Sequence, residues 1–154
     1  MSQQKALLRL LVAFAAGFLS VLLFHQGMLA LLHAKGLTPL APYPTQPTQP
    51  FGILRIWSLA FWGGVWGMGF AVFAPRFRQS TRSWGTALLF GALGPTLVNW
   101  FVVMPLKGQP LGGGWQPAGI ATGLILNGVW GVGTALLFRV FAHSRLGRNK
   151  PKLT

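Results

Sequence analysis

Four apolar stretches, separated by short polar or proline-rich segments, dominate the pattern of hydrophobic and polar residues along the chain. They cover residues 6–33, 53–73, 84–104 and 118–141. A helix needs about 20 apolar residues to cross the hydrocarbon core of a bilayer, and each stretch is of that order or longer. The first is longer than the apolar region of a secretory signal, and no small-residue cleavage site follows it. The pattern predicts an all-α integral membrane protein, with four transmembrane helices in a single domain over residues 1–154.

The sequence also contains an internal repeat. Residues 64–69 read Gly-Val-Trp-Gly-Met-Gly, residues 128–133 read Gly-Val-Trp-Gly-Val-Gly, and a Pro-x-Gly-Ile sequence precedes each copy. Matching blocks in the same order indicate a duplicated unit. We therefore expect two helix hairpins in the same orientation, the first over residues 6–75 and the second over residues 84–141, related by an axis along the membrane normal.

Small residues recur at four-residue spacing in the second and fourth stretches. Glycine at this spacing clears one face of a helix, so that a second backbone can approach closely. The residues that we predict to form such helix-packing faces are Gly63, Gly67, Gly123, Asn127 and Gly131.

The connection between the first two stretches, residues 36–50, contains five prolines spaced two or three residues apart. Proline fixes φ and lacks an N–H donor, so this run favours a stiff, extended strap. A spacer between two helices is the favoured interpretation. A docking element is the alternative, with Tyr43 as its natural contact residue. The Gly- and Pro-rich loop at residues 105–117 is the counterpart in the second half.

Basic residues are distributed unevenly between the two sides of the predicted bundle. The chain has 13 Lys and Arg residues and no Asp or Glu, for a net charge of +13. Ten of them lie on the side that holds both termini and residues 75–83, and Lys35, Arg55 and Lys107 lie on the other. Because cytoplasmic loops are enriched in Lys and Arg, this asymmetry predicts cytoplasmic termini in a bacterial inner membrane.

These basic residues have no acidic side chain within the chain with which to pair. We expect them to bind anionic phospholipids, or acidic residues of a partner, rather than nucleic acid. The candidates for lipid or partner binding lie in the basic linker at residues 75–83 and in the tail at residues 142–154, namely Arg76, Arg78, Arg82, Arg145 and Arg148.

The missing residue types restrict the chemistry that the chain can perform. Without Asp, Glu or Cys, it has no carboxylate for acid–base catalysis or hard-metal binding, and no thiolate for nucleophilic catalysis or zinc binding. The run Gly112-Gly113-Gly114 is not followed by Lys-Ser or Lys-Thr and so lacks the pattern of a phosphate-binding loop. We therefore expect neither an enzyme nor a metal site.

Polar residues inside the apolar stretches are the remaining candidates for a site. His25, Gln26 and Asn99 are predicted to lie in the outer halves of their helices and to form a polar cluster. Hydrogen bonding between helices is the simplest role for such residues. An intramembrane histidine can instead bind a quinone or act as a pH switch, whereas a bis-histidine haem site lacks a second histidine at similar depth. No cofactor is therefore predicted, and a quinone is the alternative at these three residues.

The function that the sequence favours is a non-catalytic accessory or assembly subunit, packed against a larger membrane complex of the respiratory or photosynthetic type. Glycine-lined faces, two external loops and a basic rim offer docking surface for such a complex. The alternatives are a small transporter or channel, for which the usual intramembrane carboxylates are missing, and a quinone- or lipid-binding module. A homo-oligomer is the alternative assembly.

Overall fold

The structure, a computed structural model, describes residues 3–73 and 82–146. Its helices are α1 (Gln3–Ser20), α2 (Gln26–Ala34), α3 (Arg55–Phe73), α4 (Arg82–Val98), α5 (Met104–Leu106) and α6 (Pro117–Leu146). Two π-helical segments, Val21–His25 and Asn99–Val103, join α1 to α2 and α4 to α5. The strands β1 (Pro47–Thr48) and β2 (Ile53–Leu54) pair as a short antiparallel hairpin, and Leu111–Trp115 forms a 3-10 turn.

Four helices in the described ranges are long and apolar enough to cross a membrane: Gln3–Ala34, Arg55–Phe73, Ser83–Leu106 and Pro117–Ala142. A helix satisfies all of its backbone hydrogen bonds internally, which is what the hydrocarbon core requires. The predicted all-α architecture with four candidate spans is therefore confirmed.

The spans pack as antiparallel neighbours. α1 packs extensively on α3 and α6, and α4 packs extensively on α6, whereas α3 and α4 meet over a short stretch. Ala13 of α1 lies against Gly67 of α3, and Gly17 lies against Gly63, so the residue numbers run in opposite directions along the pair. The described start of α1 and the end of α6 therefore lie at one end of the bundle, which we call the terminal end. The strap and the loop before α6 lie at the other, which we call the loop end.

Glycine allows the backbones of α1 and α3 to touch. A Cβ atom added at Gly17 would lie 3.0 Å from the Cα of Gly67 and would collide with the carbonyl oxygen of Gly63. A Cβ atom added at Gly67 would collide with the carbonyl oxygen of Ala13. Any larger residue at these positions would force the two helices apart.

The contact between α4 and α6 is built in the same way. A Cβ atom added at Gly91 would lie 2.7 Å from the Cα of Gly131 and would collide with the carbonyl oxygen of Asn127. Gly123 lies away from this contact, because the nearest atom to a Cβ added there would be a methyl carbon of Thr96 at 3.9 Å. Four of the five predicted packing residues thus lie at close backbone contacts, and Gly123 does not.

Trp130 occupies the centre of the bundle with only 2% of its surface exposed. Its indole Nε1–H donates a hydrogen bond to the carbonyl oxygen of Gly17 at 2.9 Å. Its own carbonyl oxygen accepts hydrogen bonds from the hydroxyl groups of Ser20, at 2.8 Å, and Thr134, at 2.9 Å. The bonds with Gly17 and Ser20 join α1 to α6, and the bond from Thr134 lies within α6, in a region where unpaired polar groups would be costly.

Candidate functional site

The two π-helical segments lie on the loop-end side of the close glycine contacts. A π-helical turn shifts backbone hydrogen bonds from the fourth to the fifth preceding residue and is often found at functional sites. Directly after the first segment, the N–H of Gln26 donates to the carbonyl oxygens of Val21 and Leu23. Leu22, which would be its acceptor in an α-helix, therefore has a carbonyl oxygen that can accept another donor.

Tyr43 of the strap provides that donor. Its phenolic O–H donates to the carbonyl oxygen of Leu22 at 2.9 Å, and its backbone N–H donates to Oε1 of Gln26 at 2.6 Å. Its φ of 52° lies in the left-handed region, which costs a non-glycine residue about 1–3 kcal/mol. The strap is thus held on the first span through Tyr43, the residue that the sequence indicated as its natural contact residue.

Gln26 connects the strap to His25. Its side chain is fully buried, and its Nε2 lies 3.2 Å from Nδ1 of His25. The hydrogen bond from the Tyr43 N–H fixes the orientation of the Gln26 amide, with its oxygen toward Tyr43 and its NH₂ group toward His25. The NH₂ group therefore donates to His25. Nδ1 of His25 is therefore the acceptor, and the proton of the neutral imidazole ring is on Nε2.

Asn99 lies in the other half of the structure. It begins the second π-helical segment, which packs against α4, α5 and the turn Leu111–Trp115. The first segment packs against α1, α2, α3 and α6. The polar cluster predicted from His25, Gln26 and Asn99 is thus divided, with the first two hydrogen-bonded to each other and Asn99 on a separate pair of helices.

An aromatic residue with positive φ also docks on the second π-helical segment. Gly112, Gly113 and Gly114 have φ of 58°, 64° and 75°, and Trp115 follows with φ of 58°. The ring centroid of Trp115 lies 5.6 Å from that of Trp100 and 5.8 Å from that of Phe101. Glycine adopts left-handed φ at little cost, so the three glycines turn the chain and bring Trp115 back onto the segment.

Asn127 makes a hydrogen bond between helices. Its Nδ2 donates to Oγ1 of Thr96 at 2.8 Å, and Thr96 is 1% exposed. The contact joins α6 to α4 directly after Pro95, which lies inside α4. This arrangement corresponds to the structural role that is simplest for an amide within an apolar span.

Two arginines at the terminal end contact groups other than acidic side chains, of which the chain has none. Nη2 of Arg9 donates to the carbonyl oxygen of Ala71, near the end of α3, at 2.8 Å. Its guanidinium carbon lies 5.8 Å from the ring centroid of Phe138, and that of Arg139 lies 4.3 Å from the Trp84 ring. Carbonyl groups at a helix C-terminus and the faces of aromatic rings both attract cations.

The predicted lipid- or partner-binding arginines are only partly within the described residues. Arg76, Arg78 and Arg148 lie outside them. Arg82 begins α4 and Arg145 lies in the last turn of α6, so both belong to the terminal end.

The sequence did not predict two sets of hydrogen bonds. One set joins the Trp130 carbonyl oxygen to Ser20 and Thr134, and the other is the bond between Tyr43 and Gln26. The available signals were a Trp at the same place in both copies of the repeat and a serine inside an otherwise apolar run. The Tyr43 contact had a weaker signal, because the sequence does not show which helix face the strap crosses.

Four apolar spans with large hydrophobic side chains exposed on their surfaces define a multi-pass α-helical membrane protein. No family model matches the chain, and neither a curated protein nor a solved structure is significantly similar to it.

Proposed function

We propose that the chain is a non-catalytic accessory or assembly subunit, which packs against a larger respiratory or photosynthetic complex in a bacterial inner membrane. The observation that carries this proposal is the β1–β2 hairpin at the loop end. Phe51 lies at its tip and is 83% exposed. A large apolar side chain on a projecting loop suits recognition of another protein, because burying it on binding is favourable.

The hairpin is firmly attached to the bundle. Oγ1 of Thr48 donates to the carbonyl oxygen of Ile53 at 2.8 Å. The backbone N–H groups of Arg55 and Ile56 donate to the carbonyl oxygens of Gln46 and Pro44, at 2.9 Å and 3.0 Å. Donors in the first turn of a helix have no acceptor within that helix, so the strap both satisfies the start of α3 and positions the hairpin.

Further apolar side chains are exposed at the loop end. They belong to the strap and to β2 and are 40–65% exposed: Leu37, Leu40, Ile53 and Leu54. Exposed apolar surface beyond scattered single residues is typical of protein contact sites. The hairpin and these residues together form the docking surface in our proposal.

The interior of the bundle supports a packing role more than a conducting one. Trp130 lies at its centre and is hydrogen-bonded to both α1 and α6. A pathway along the axis of one copy would require this side chain to leave its position.

The two close glycine contacts support a duplication of one helix hairpin. Gly17 and Gly67 meet in the first half, and Gly91 and Gly131 meet in the second, each with an alanine four residues before the first glycine. Two hairpins of the same orientation would place both termini on one side. Under the positive-inside rule that side is the cytoplasm, where basic residues would meet anionic phospholipids or acidic groups of the partner complex.

Site-specific photo-crosslinking in native membranes tests the proposal. With p-benzoylphenylalanine at position 51, we expect a protein adduct of one defined mass. Phe51→Ser should lower co-migration with that partner on native gels by about tenfold, the effect of losing one well-buried apolar contact. The control is the same crosslinker at Leu89, which is 58% exposed on a span and should give lipid adducts. A chain that migrates alone in mild detergent, with only lipid adducts from position 51, would contradict the proposal.

A further inference from the structure

Among residues 3–73 and 82–146, one ring nitrogen of His25 makes a hydrogen bond and the other makes none. Nδ1 accepts a hydrogen bond from the Gln26 amide, whose orientation is set by the Tyr43 N–H. The position of the His25 proton, on Nε2, is therefore determined by the chain of contacts from Tyr43 through Gln26 to His25. Gln26 is fully buried, and Tyr43 has a strained backbone conformation.

Nε2 of His25 is not fully enclosed by the protein, and the His25 side chain as a whole is partly exposed. In the described residues, every fully buried side-chain nitrogen or oxygen atom has a hydrogen-bond partner. Within the described residues, the His25 ring makes a hydrogen bond through Nδ1, and Nε2 makes none. Nε2–H is consequently a partly exposed donor that is not used within the described residues.

The depth of this donor follows from the contacts of the strap. Tyr43 is bonded to Gln26, and the next residue, Pro44, accepts a hydrogen bond from Ile56 in the first turn of α3. His25 therefore lies at the level of that turn, which also carries Arg55 and Trp57. Arg and Trp are the residues that membrane proteins place at the boundary between hydrocarbon and headgroups.

We infer that the Nε2–H group of His25 binds the carbonyl oxygen of a membrane amphiphile. A donor at this boundary meets two kinds of carbonyl, the ester groups of phospholipids and the ring carbonyls of quinones. Both are neutral acceptors, and an accessible N–H in a medium of low polarity gains more from such an acceptor than it does in water. Strained backbone is found preferentially at binding sites, and here the strain at Tyr43 holds the group that orients the donor.

Nitrogen NMR on the full-length chain with ¹⁵N-labelled histidine, in lipid nanodiscs, tests this inference. We expect His25 to be protonated on Nε2. His33 gives an internal reference, because its Nδ1 lies 3.3 Å from the carbonyl oxygen of Thr38 and must carry the proton there. The signals are assigned from His25→Asn, His33→Asn and His143→Asn variants.

Three bilayers identify the acceptor without altering the protein: ether-linked lipid, ester-linked lipid with the same headgroup, and ether-linked lipid with decyl-benzoquinone. A change in the Nε2 signal of His25 between ether and ester lipid assigns the site to lipid carbonyls. A change only on adding the benzoquinone assigns it to quinones, and His25→Phe should then weaken quinone binding by about tenfold, the effect of one hydrogen bond. An Nε2 signal that is the same in all three bilayers, or a proton on Nδ1 of His25, would overturn the inference.

Discussion

At the scale of single residues, the two tryptophans of the repeated Gly-Val-Trp-Gly sequence occupy different environments. Trp130 is hydrogen-bonded at the centre of the bundle, whereas the Trp66 ring packs edge-on against Phe90 with centroids 6.0 Å apart. Ser20 of α1 and Thr134 of α6 both donate to the Trp130 carbonyl oxygen. The same motif therefore gives a polar contact at one place and an apolar contact at the other.

Trp130→Phe should lower the free energy of unfolding by about 1–2 kcal/mol, because it removes the hydrogen bond to the Gly17 carbonyl and leaves part of the indole volume empty. The measurement is reversible unfolding in micelles or bicelles. Trp62→Phe is the matched control, since Trp62 is 58% exposed and its replacement should change stability by less than about 0.5 kcal/mol. Equal effects of the two substitutions would contradict the central role of Trp130.

At the scale of elements, glycine sets how closely neighbouring helices approach. Gly67 and Gly131 both face an alanine carbonyl oxygen across their helix pair, whereas nothing lies within 4 Å of a Cβ atom added at Gly27. Glycine in a helix therefore has opposite effects on stability at these positions. It is required where two backbones touch and is a weak helix former elsewhere.

Gly67→Ala should destabilise the protein by about 1–3 kcal/mol, because the added methyl group must displace a backbone carbonyl rather than a flexible side chain. Gly27→Ala should be neutral or stabilise by up to about 1 kcal/mol through helix propensity. Thermal unfolding of both variants in one detergent checks the prediction. A Gly67→Ala variant that is as stable as Gly27→Ala would show that the α1–α3 pair can separate at no cost.

At the scale of the whole molecule, the bundle has two unlike ends. The loop end carries the docked strap, the hairpin and the left-handed turn before Trp115. The terminal end carries Arg9 and Arg139, held by a carbonyl oxygen and by aromatic rings. This difference, together with the excess of basic residues at the terminal end, is the basis for proposing that the terminal end faces the cytoplasm.

Single-cysteine labelling tests that orientation cleanly, because the chain contains no cysteine. Phe51→Cys and Gln109→Cys lie at the loop end and should react with a membrane-impermeant maleimide in cells whose outer membrane alone has been permeabilised. Gln3→Cys, which is exposed at the terminal end, should react only after the inner membrane is also opened. The reverse pattern would show that the orientation is inverted, and labelling of all three would point to mixed insertion.

The sequence predicted the spans well and the site only in part. Apolar length is sufficient to locate a membrane helix, and the ends were missed by only a few residues. The π-helical segment before Gln26 was not predictable, because the acceptor that it frees is satisfied by Tyr43, a residue 21 positions after Leu22. Such a register depends on a tertiary contact and leaves no periodic signal in the sequence.

The grouping of His25 with Asn99 shows a second limit of the sequence. The two residues occupy similar places in the two halves, and the prediction treated this similarity as nearness. Equivalent positions in a duplicated bundle lie close together only when both face the axis between the halves. The structure places the two residues on different helix pairs.

The way in which the terminal end holds its arginines has a consequence for behaviour in acid. Many folded proteins unfold at low pH because carboxylates that are ionised in the native state become protonated. Among the groups that contact the Arg9 and Arg139 guanidinium groups are a peptide oxygen, the Ser83 hydroxyl and aromatic rings, and none of these takes up a proton as the solution is acidified. These contacts between the four helices should therefore persist at acidic pH values at which ordinary ion pairs are lost.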